Sequence, residues 1–358
     1  MKKSAGLFFA VLVSVCVAAQ KVNLVFVSDL HYGITRPHFR GQDSVEAFVV
    51  NRAMVEMIDT LDRLHFPADK GIQAGKKIGK PTGIVITGDI ANRQQPPVQS
   101  AAASWQQFLD DYQHRLHYTL FPLPGNHDAS NAIGYPKKME PAHDATAMAG
   151  IYNIAMHKAV SASEYNYATQ KINYSRDVNG VHLLFVNIWP DSLNRIWMEK
   201  DLAKVSANTP VLIFAHDPPD GDAKHFINPN GEHDINATDN YENLLSEVHK
   251  DKNRKSTDKE QLGFDAFLRA HPNVKAYFHG HQNFCEMYDY KGVKGKLSLP
   301  VFRADSPMKG EKSRPDEHKL SLQVISYDLA QRKLTVRELF WNKADGIPEW
   351  GKMRTIRL

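Results

Sequence analysis

Five short groups of residues carry side chains that hold metal ions. They are Asp29-x-His31, Gly88-Asp89, Gly125-Asn126-His127-Asp128, His216-Asp217 and Gly280-His281-x-Asn283. Any one of them alone has an ordinary reading. Asp-x-His after an apolar run commonly makes a turn and a cap, and Gly-Asp is a frequent turn signal. The set is harder to explain that way. Carboxylate, imidazole and amide donors recur together, and each group directly follows a short run rich in β-branched residues.

Those runs read as buried strands over residues 22–28, 83–87, 119–123, 181–188, 211–215 and 274–279. Helical periodicity lies over 45–64 and 100–115, with Trp105, Phe108 and Leu109 on the core face of the latter. Two more helices are predicted over 192–204, facing the core with Leu193, Ile196 and Trp197, and over 262–270. The alternation predicts an α/β architecture with strands buried between layers. The metal-type residues would then gather at the carboxyl ends of the strands, the edge where open α/β sheets build their sites. Residues 320–329 and 333–340 read as a hairpin, and 286–301 as further antiparallel strand. Stretches 67–80, 129–149 and 217–260 are rich in Gly, Pro, Asn, Asp and Lys and read as long loops.

Taken in order, the five groups resemble the signature of the calcineurin-like metallophosphoesterases, and the resemblance runs from Asp29 to Asn283. It implies a four-layer α/β/β/α sandwich of two mixed β-sheets with a dinuclear metal centre at one end. It implies that Asp89 bridges two divalent ions. Asp29, His31, Asp89 and Asn283 would hold one ion, and Asp89, Asn126, His216 and His281 the other. Such a donor set suits Mn, Fe, Zn, Co or Ni. A metal-activated water would be the nucleophile. His127 would stabilise or protonate the leaving oxygen, with Asp128 orienting it. The implied activity is hydrolysis of a small phosphomonoester or phosphodiester.

The chain departs from the family pattern at Asn283, where a second His is usual. A neutral amide is the weaker donor, so that site should bind less tightly or favour a harder ion such as Mn or Mg. His279 lies on the same strand face as His281 and reads as a buried structural imidazole, with a ligand or proton donor as the alternative. Purple acid phosphatases carry Tyr where this chain has Asn92, which argues against that subclass. Residues 281–288 resemble part of the acid sphingomyelinases, whose disulfide-forming cysteines are missing here. Arg36, Arg93, Lys137 and Lys138 read as solvated charges near the motifs, although each could contact a phosphate. His38, His143, His225 and His233 read as surface groups.

The first residues have the form of a secretory leader. Lys2 and Lys3 precede an apolar run from Leu7 to Val17, and Val17-Ala18-Ala19 offers small residues for cleavage. That run is shorter than the ~20 residues a bilayer span requires. We read 1–19 as a signal peptide, 20–345 as the metallophosphoesterase domain and 346–358 as a C-terminal tail. The expected location is periplasmic or secreted. After cleavage Cys285 is the remaining cysteine, so the mature chain has no internal disulfide. Loss of Lys2 and Lys3 leaves 42 basic residues against 40 acidic, a net charge of +2 in place of +4. Near-neutrality gives no electrostatic case for duplex nucleic acid as a partner. The alternative to an enzyme is a metal-binding pseudoenzyme or ligand-binding module on the same fold, its chemistry lost with the second His.

Overall fold

The computed structural model describes residues 21–134, 139–226, 244–245 and 256–358, with 256–258 described by backbone alone. The leader at 1–19, Lys137, Lys138, His233 and the middle of the 217–260 loop lie outside the described residues.

In chain order the elements are β1 (Val22–Val27), β2 (Thr35–Phe39), β3 (Gln42–Glu46), α1 (Ala47–Thr60), β4 (Gly83–Ile86), α2 (Ala101–Phe108) and β5 (Thr119–Pro122). There follow α3 (Asn126–Ile133), α4 (Thr146–Met156), β6 (Tyr174–Val178), β7 (Val181–Phe185), α5 (Ser192–Leu202), β8 (Val211–Phe214), α6 (Ser256–Ala270) and β9 (Val274–His279). The chain ends with β10 (Glu286–Tyr290), β11 (Leu299–Arg303), β12 (Ser321–Asp328), β13 (Lys333–Phe340) and β14 (Glu349–Arg357). One mixed sheet runs β14-β13-β12-β1-β4-β5, the other β10-β11-β9-β8-β7-β6, and β2 and β3 form a separate hairpin. This is the four-layer α/β/β/α sandwich of two mixed sheets that the resemblance implies.

The centre of each sheet is parallel: β1 with β4 and β4 with β5 in one, β7 with β8, β8 with β9 and β9 with β11 in the other. Parallel neighbours need crossovers, which α1, α2, α5 and α6 supply. Strands covered on both faces must be apolar throughout. β1 is VNLVFV with all six residues buried, and β4 and β8 are buried along their whole length. Between the sheets, Phe26 of β1 meets Phe214 and Phe278 edge-on, with ring centroids 6.3 and 5.6 Å away. Phe121 of β5 stacks on Phe185 of β7 at 5.5 Å.

Several expectations need correction. The segment 346–358, read as a tail, contributes β14, which pairs antiparallel with β13. It is an edge strand with Lys352, Arg354 and Arg357 along it, so no apolar alternation marks it. α5 buries Asn194, Met198 and Leu202, whereas Leu193 and Ile196 are exposed. Asn194 is turned inward because its amide donates to the carbonyls of Asn187 and Trp189, at 3.1 and 2.7 Å. Those carbonyls also accept the amides of Trp189 and Asp191, at 2.6 and 2.8 Å, so the inward Asn194 braces a turn that is already hydrogen-bonded. The stretch 129–149, read as loop, contains the end of α3 and the start of α4. The predicted helix over 100–115 is α-helical to Phe108 and continues to Arg115 as a π-helix.

Candidate metal centre

The five sequence groups occupy the loops that leave β1, β4, β5, β8 and β9, all at carboxyl ends. Within the first sheet the loops after β1 and β4 run side by side. The amides of Asp29 and His31 donate to the carbonyls of Gly88 and Asp89, at 3.0 and 2.8 Å. In the second sheet the Gly280 amide donates to the His216 carbonyl at 3.1 Å. Two bonds then join the sheets at the site. The His281 amide donates to Asp29 Oδ2 at 2.9 Å, and His216 Nδ1 lies 2.7 Å from the Thr87 carbonyl.

Crowding explains the motif glycines. A Cβ on Gly125 would come within 2.1 Å of Asp89 Oδ1, and one on Gly280 within 1.8 Å of Ser28 Oγ. Five of the nominated ligands have left-handed backbone: Asp29 (φ 55°), His31 (45°), Asp89 (52°), His281 (66°) and Asn283 (56°). Asn, Asp and His tolerate that region better than other side chains, so the turns and the metal chemistry ask for the same residue types. Strain of this kind gathers at functional sites.

Asp89 lies at the middle of the group and is buried. Its Oδ1 is 3.6 Å from His216 Nε2, and its Oδ2 is 3.6 Å from His31 Nε2 and 3.8 Å from His127 Nε2. The two carboxylate oxygens therefore face different histidines. On one side, His216 Nε2 is 3.1 Å from Asn126 Oδ1 and 3.3 Å from His281 Nδ1. On the other, His31 Nε2 is 3.8 Å from Asp29 Oδ1. Donors about 2.1 Å from a shared ion stand roughly 3.0–3.5 Å apart; His216 has that spacing from Asn126 and His281, while the distances to Asp89 and on the His31 side are slightly wider.

Unpartnered atoms point the same way. Asp29 Oδ1, both ring nitrogens of His31 and Asn283 Oδ1 are buried with no hydrogen-bond partner among the described residues. Such atoms are costly unless something else binds them. Asn283 donates its Nδ2 to the His281 carbonyl at 3.0 Å, which leaves the amide oxygen as the group it presents. The Thr87 carbonyl takes the proton of His216 Nδ1, so Nε2 offers its lone pair toward Asn126 and Asp89. Burial, with Lys309 nearby, holds the His31 imidazole well below its ordinary pKa. Burial pushes the Asp89 carboxyl up, but His216, His31 and Lys309 together bring it down to about 2. The residues fit divalent metal: carboxylate and imidazole donors converge in groups such as Asp29, Asp89 and His216 and His31, Asp89 and His127, with the Asn126 amide oxygen beside His216.

Other residues sit differently from the reading of the sequence. Asp128 does not orient His127. As the third residue of α3 it turns back to the loops, accepting from the amides of Ile90, Ala91 and Gly125 at 3.1, 2.8 and 2.9 Å. The His127 ring is placed by the Arg93 amide, which donates to Nδ1 at 3.1 Å. His279 is fully buried with both nitrogens engaged, by the Gly280 carbonyl and the Tyr288 hydroxyl, each at 2.9 Å. That is the structural imidazole. Arg36, read as a surface charge, is buried, with Nη1 donating to the Pro307 carbonyl at 2.8 Å and Nη2 to the Ser313 carbonyl.

His225, also read as a surface group, is buried, with Nδ1 2.6 Å from Asp217 Oδ2. Beside it Asp222 Oδ2 lies 2.9 Å from His281 Nε2, the carboxylate partner that fixes a ligand imidazole. Lys309 completes the surroundings, with Nζ 2.8 Å from Asn92 Oδ1 and 3.3 Å from His127 Nε2. Asp222 and His225 lie further along the connection that leaves β8, where Gly221-Asp222 does not directly follow a strand, and Lys309 follows β11, whose end carries none of the five groups. A cavity of about 300 Å³ opens over the group, lined by Asp89, Asn126, His127, His281, Asn283 and Lys309 among others. A larger cleft of about 520 Å³ lies beside Cys285 and Asp305, and none of the nominated ligands lines it.

Comparison with known proteins gives one family. The sequence model described as calcineurin-like phosphoesterase matches residues 22–284. A search of curated proteins finds no match. Among solved structures, a conserved uncharacterized protein of Streptococcus pneumoniae, titled a predicted phosphoesterase, is 9% identical over 95% of this chain and 99% of its own, with a TM-score of 0.33. Vps29 of Chaetomium thermophilum is 8% identical over 94% and 97%, with a TM-score of 0.34. The 5'-nucleotidase precursor of Thermus thermophilus is 13% identical over 95% of this chain and 55% of that one, with a TM-score of 0.40.

Proposed function

The chain belongs to the calcineurin-like phosphoesterase family, and from that premise we propose that it is an exported, dinuclear-metal-dependent hydrolase of a phosphomonoester or phosphodiester. The observation that carries this reading is Asp89, whose two oxygens face His216 on one side and His31 on the other. A carboxylate so placed can serve two ions at once. Asp29, His31, Asp89 and Asn283 would hold the first, and Asp89, Asn126, His216 and His281 the second. Two divalent ions, when bound, supply charge against the phosphoryl oxygens and acidify water. Mn, Fe, Zn, Co or Ni suits the donor set.

The protein's own groups do the rest. Asp222 fixes the ring of His281, and the Thr87 carbonyl fixes the tautomer of His216. The Arg93 amide occupies His127 Nδ1, so His127 presents Nε2–H to the cavity and donates it to the leaving oxygen. The carboxylate of Asp128 gathers the loops after β4 and β5 and keeps His127 beside Asp89. A cavity of about 300 Å³ suits a small ester.

The test is reconstitution of the protein with each divalent metal, a screen of phosphomonoesters and phosphodiesters, and elemental analysis alongside. The wild type should turn over at least one ester class, and Asp89→Ala should lose turnover and metal from both sites together. One tightly held ion and no hydrolysis with any metal would instead favour a metal-binding pseudoenzyme.

A further inference from the structure

One pair of contacts in the cavity is left unexplained by the metal-type residues. Lys309 Nζ and His127 Nε2 are 3.3 Å apart. The Arg93 amide donates to His127 Nδ1, so that nitrogen carries a lone pair and the ring proton belongs on Nε2. Both members of the 3.3 Å pair are then donors, and neither can accept from the other. An ammonium has three N–H groups. Among the described residues, the hydrogen bond to Asn92 Oδ1 uses one of them. A half-buried ammonium left short of acceptors is costly unless something else supplies them.

Two donors at this separation can reach one oxygen at ordinary hydrogen-bond length, about 2.8–3.0 Å from each. Both line the same cavity as His31, Asp89 and Asn283. The segment that carries Lys309 is also fixed to the motif loops. Ser306 Oγ donates to the Asp29 carbonyl at 2.7 Å and accepts from the Lys309 amide at 2.9 Å. The Glu311 amide donates to the Asn283 carbonyl at 2.7 Å. Lys309 is thus held by the turns that bear Asp29 and Asn283, and its position is set by theirs.

We propose that Lys309 Nζ and His127 Nε2 form a two-donor clamp that closes on one oxygen of a phosphate ester bound in this cavity, the leaving oxygen that His127 serves, making Lys309 a substrate-binding residue. The inference rests on the phosphoesterase reading for the identity of the ligand. The ammonium brings a positive charge that the neutral His127 ring lacks, and phosphate is the oxyanion class that a lysine point charge serves.

The experiment measures binding of inorganic phosphate by calorimetry to the full metal-reconstituted chain, with ester turnover, metal content and thermal melting recorded in parallel. Lys309→Met keeps most of the side-chain stem and removes the donors. It should weaken phosphate binding at least tenfold while metal content stays that of the wild type, and Lys309→Arg should recover part of the loss. Unchanged phosphate affinity in Lys309→Met overturns the clamp. Loss of metal together with affinity also overturns it, because Lys309 would then be supporting the centre. A wild type that binds phosphate but hydrolyses no ester sinks the proposed function, while the Met variant's phosphate affinity still decides the clamp. If the Met variant does not fold, Lys309→Gln, which retains a donor for Asn92, is read by the same criteria.

Discussion

Asn283 is the residue at which this chain parts from its family, and the backbone shows how it can do so. Its φ of 56° is left-handed, a region that both Asn and His enter more readily than most residues, so the turn accepts either. With Nδ2 tied to the His281 carbonyl, the buried oxygen is what remains for a ligand. Amide oxygen is neutral and weaker than imidazole. The wild type should therefore gain activity on addition of Mn²⁺ at limiting metal, and Asn283→His should need less added metal and retain more through dialysis. Equal metal retention by the two proteins would mean that the side chain is not a ligand. Legibility at this scale follows motif density. Asp29, His31, Asp89, Asn126, His216, His281 and Asn283 stand out because each sits in a short pattern after a strand. Lys309, Asp222 and His225 do not, because none of them directly follows a strand: Asp222 and His225 lie several residues beyond His216-Asp217, and Lys309 several residues beyond β11. Asp128 was visible as a residue but not as a role, since only the folded loops show three amides converging on its carboxylate.

At the scale of elements, the strands that carry the site were the most readable part of the chain, because burial on both faces forces uniform apolar runs. β1 and β4 begin where the sequence places them and end one residue early. Elements with mixed composition were not readable. β6, Tyr-Ser-Arg-Asp-Val, has a pattern no different from a loop, and α5 buries an asparagine whose amide braces the turn before it. α3 is a functional element as much as a structural one. It starts at Asn126, and its third residue, Asp128, ties the turn after β4 to its own first turn. Asp128→Ala would leave three amides without their acceptor and cost about 3 kcal/mol, since hydrogen bonds to charged groups contribute roughly 1.5–3 kcal/mol each and neighbouring losses overlap. The melting temperature should fall by several degrees. Turnover should fall with it, as the backbone of Asp89 and His127 loosens. A variant with wild-type melting behaviour would show that the amides find other partners.

At the scale of the whole molecule, the proposal of export makes a direct prediction. The mature protein should begin at Gln20, and mass spectrometry of fractionated cells should find that species outside the cytosol. A full-length chain in the cytosol, or lipid on Cys16, would overturn it. The two-sheet sandwich could not be reached from periodicity alone, because a run of buried strands does not say which sheet each joins. β1 illustrates this: it takes β4 as a parallel neighbour on one side and β12, from residues 321–328, on the other. The centre inherits the same long-range character. Asp29, His31, Asp89 and Asn126 come from the first sheet, whereas His216 and His281 come from the second, and the Asp29 carboxylate is itself held by the His281 amide. Asp29, His31 and Asp89 are thus made early in synthesis, and His216 and His281 follow only when most of the chain exists. No ribosome-bound fragment ending before β9 contains His281 and Asn283, so the full proposed ligand set waits for the later part of the chain. Sites with mixed donors sort ions by availability as well as by affinity. On the proposed function, the surroundings in which the last strands dock would then bear on which metal fills the centre.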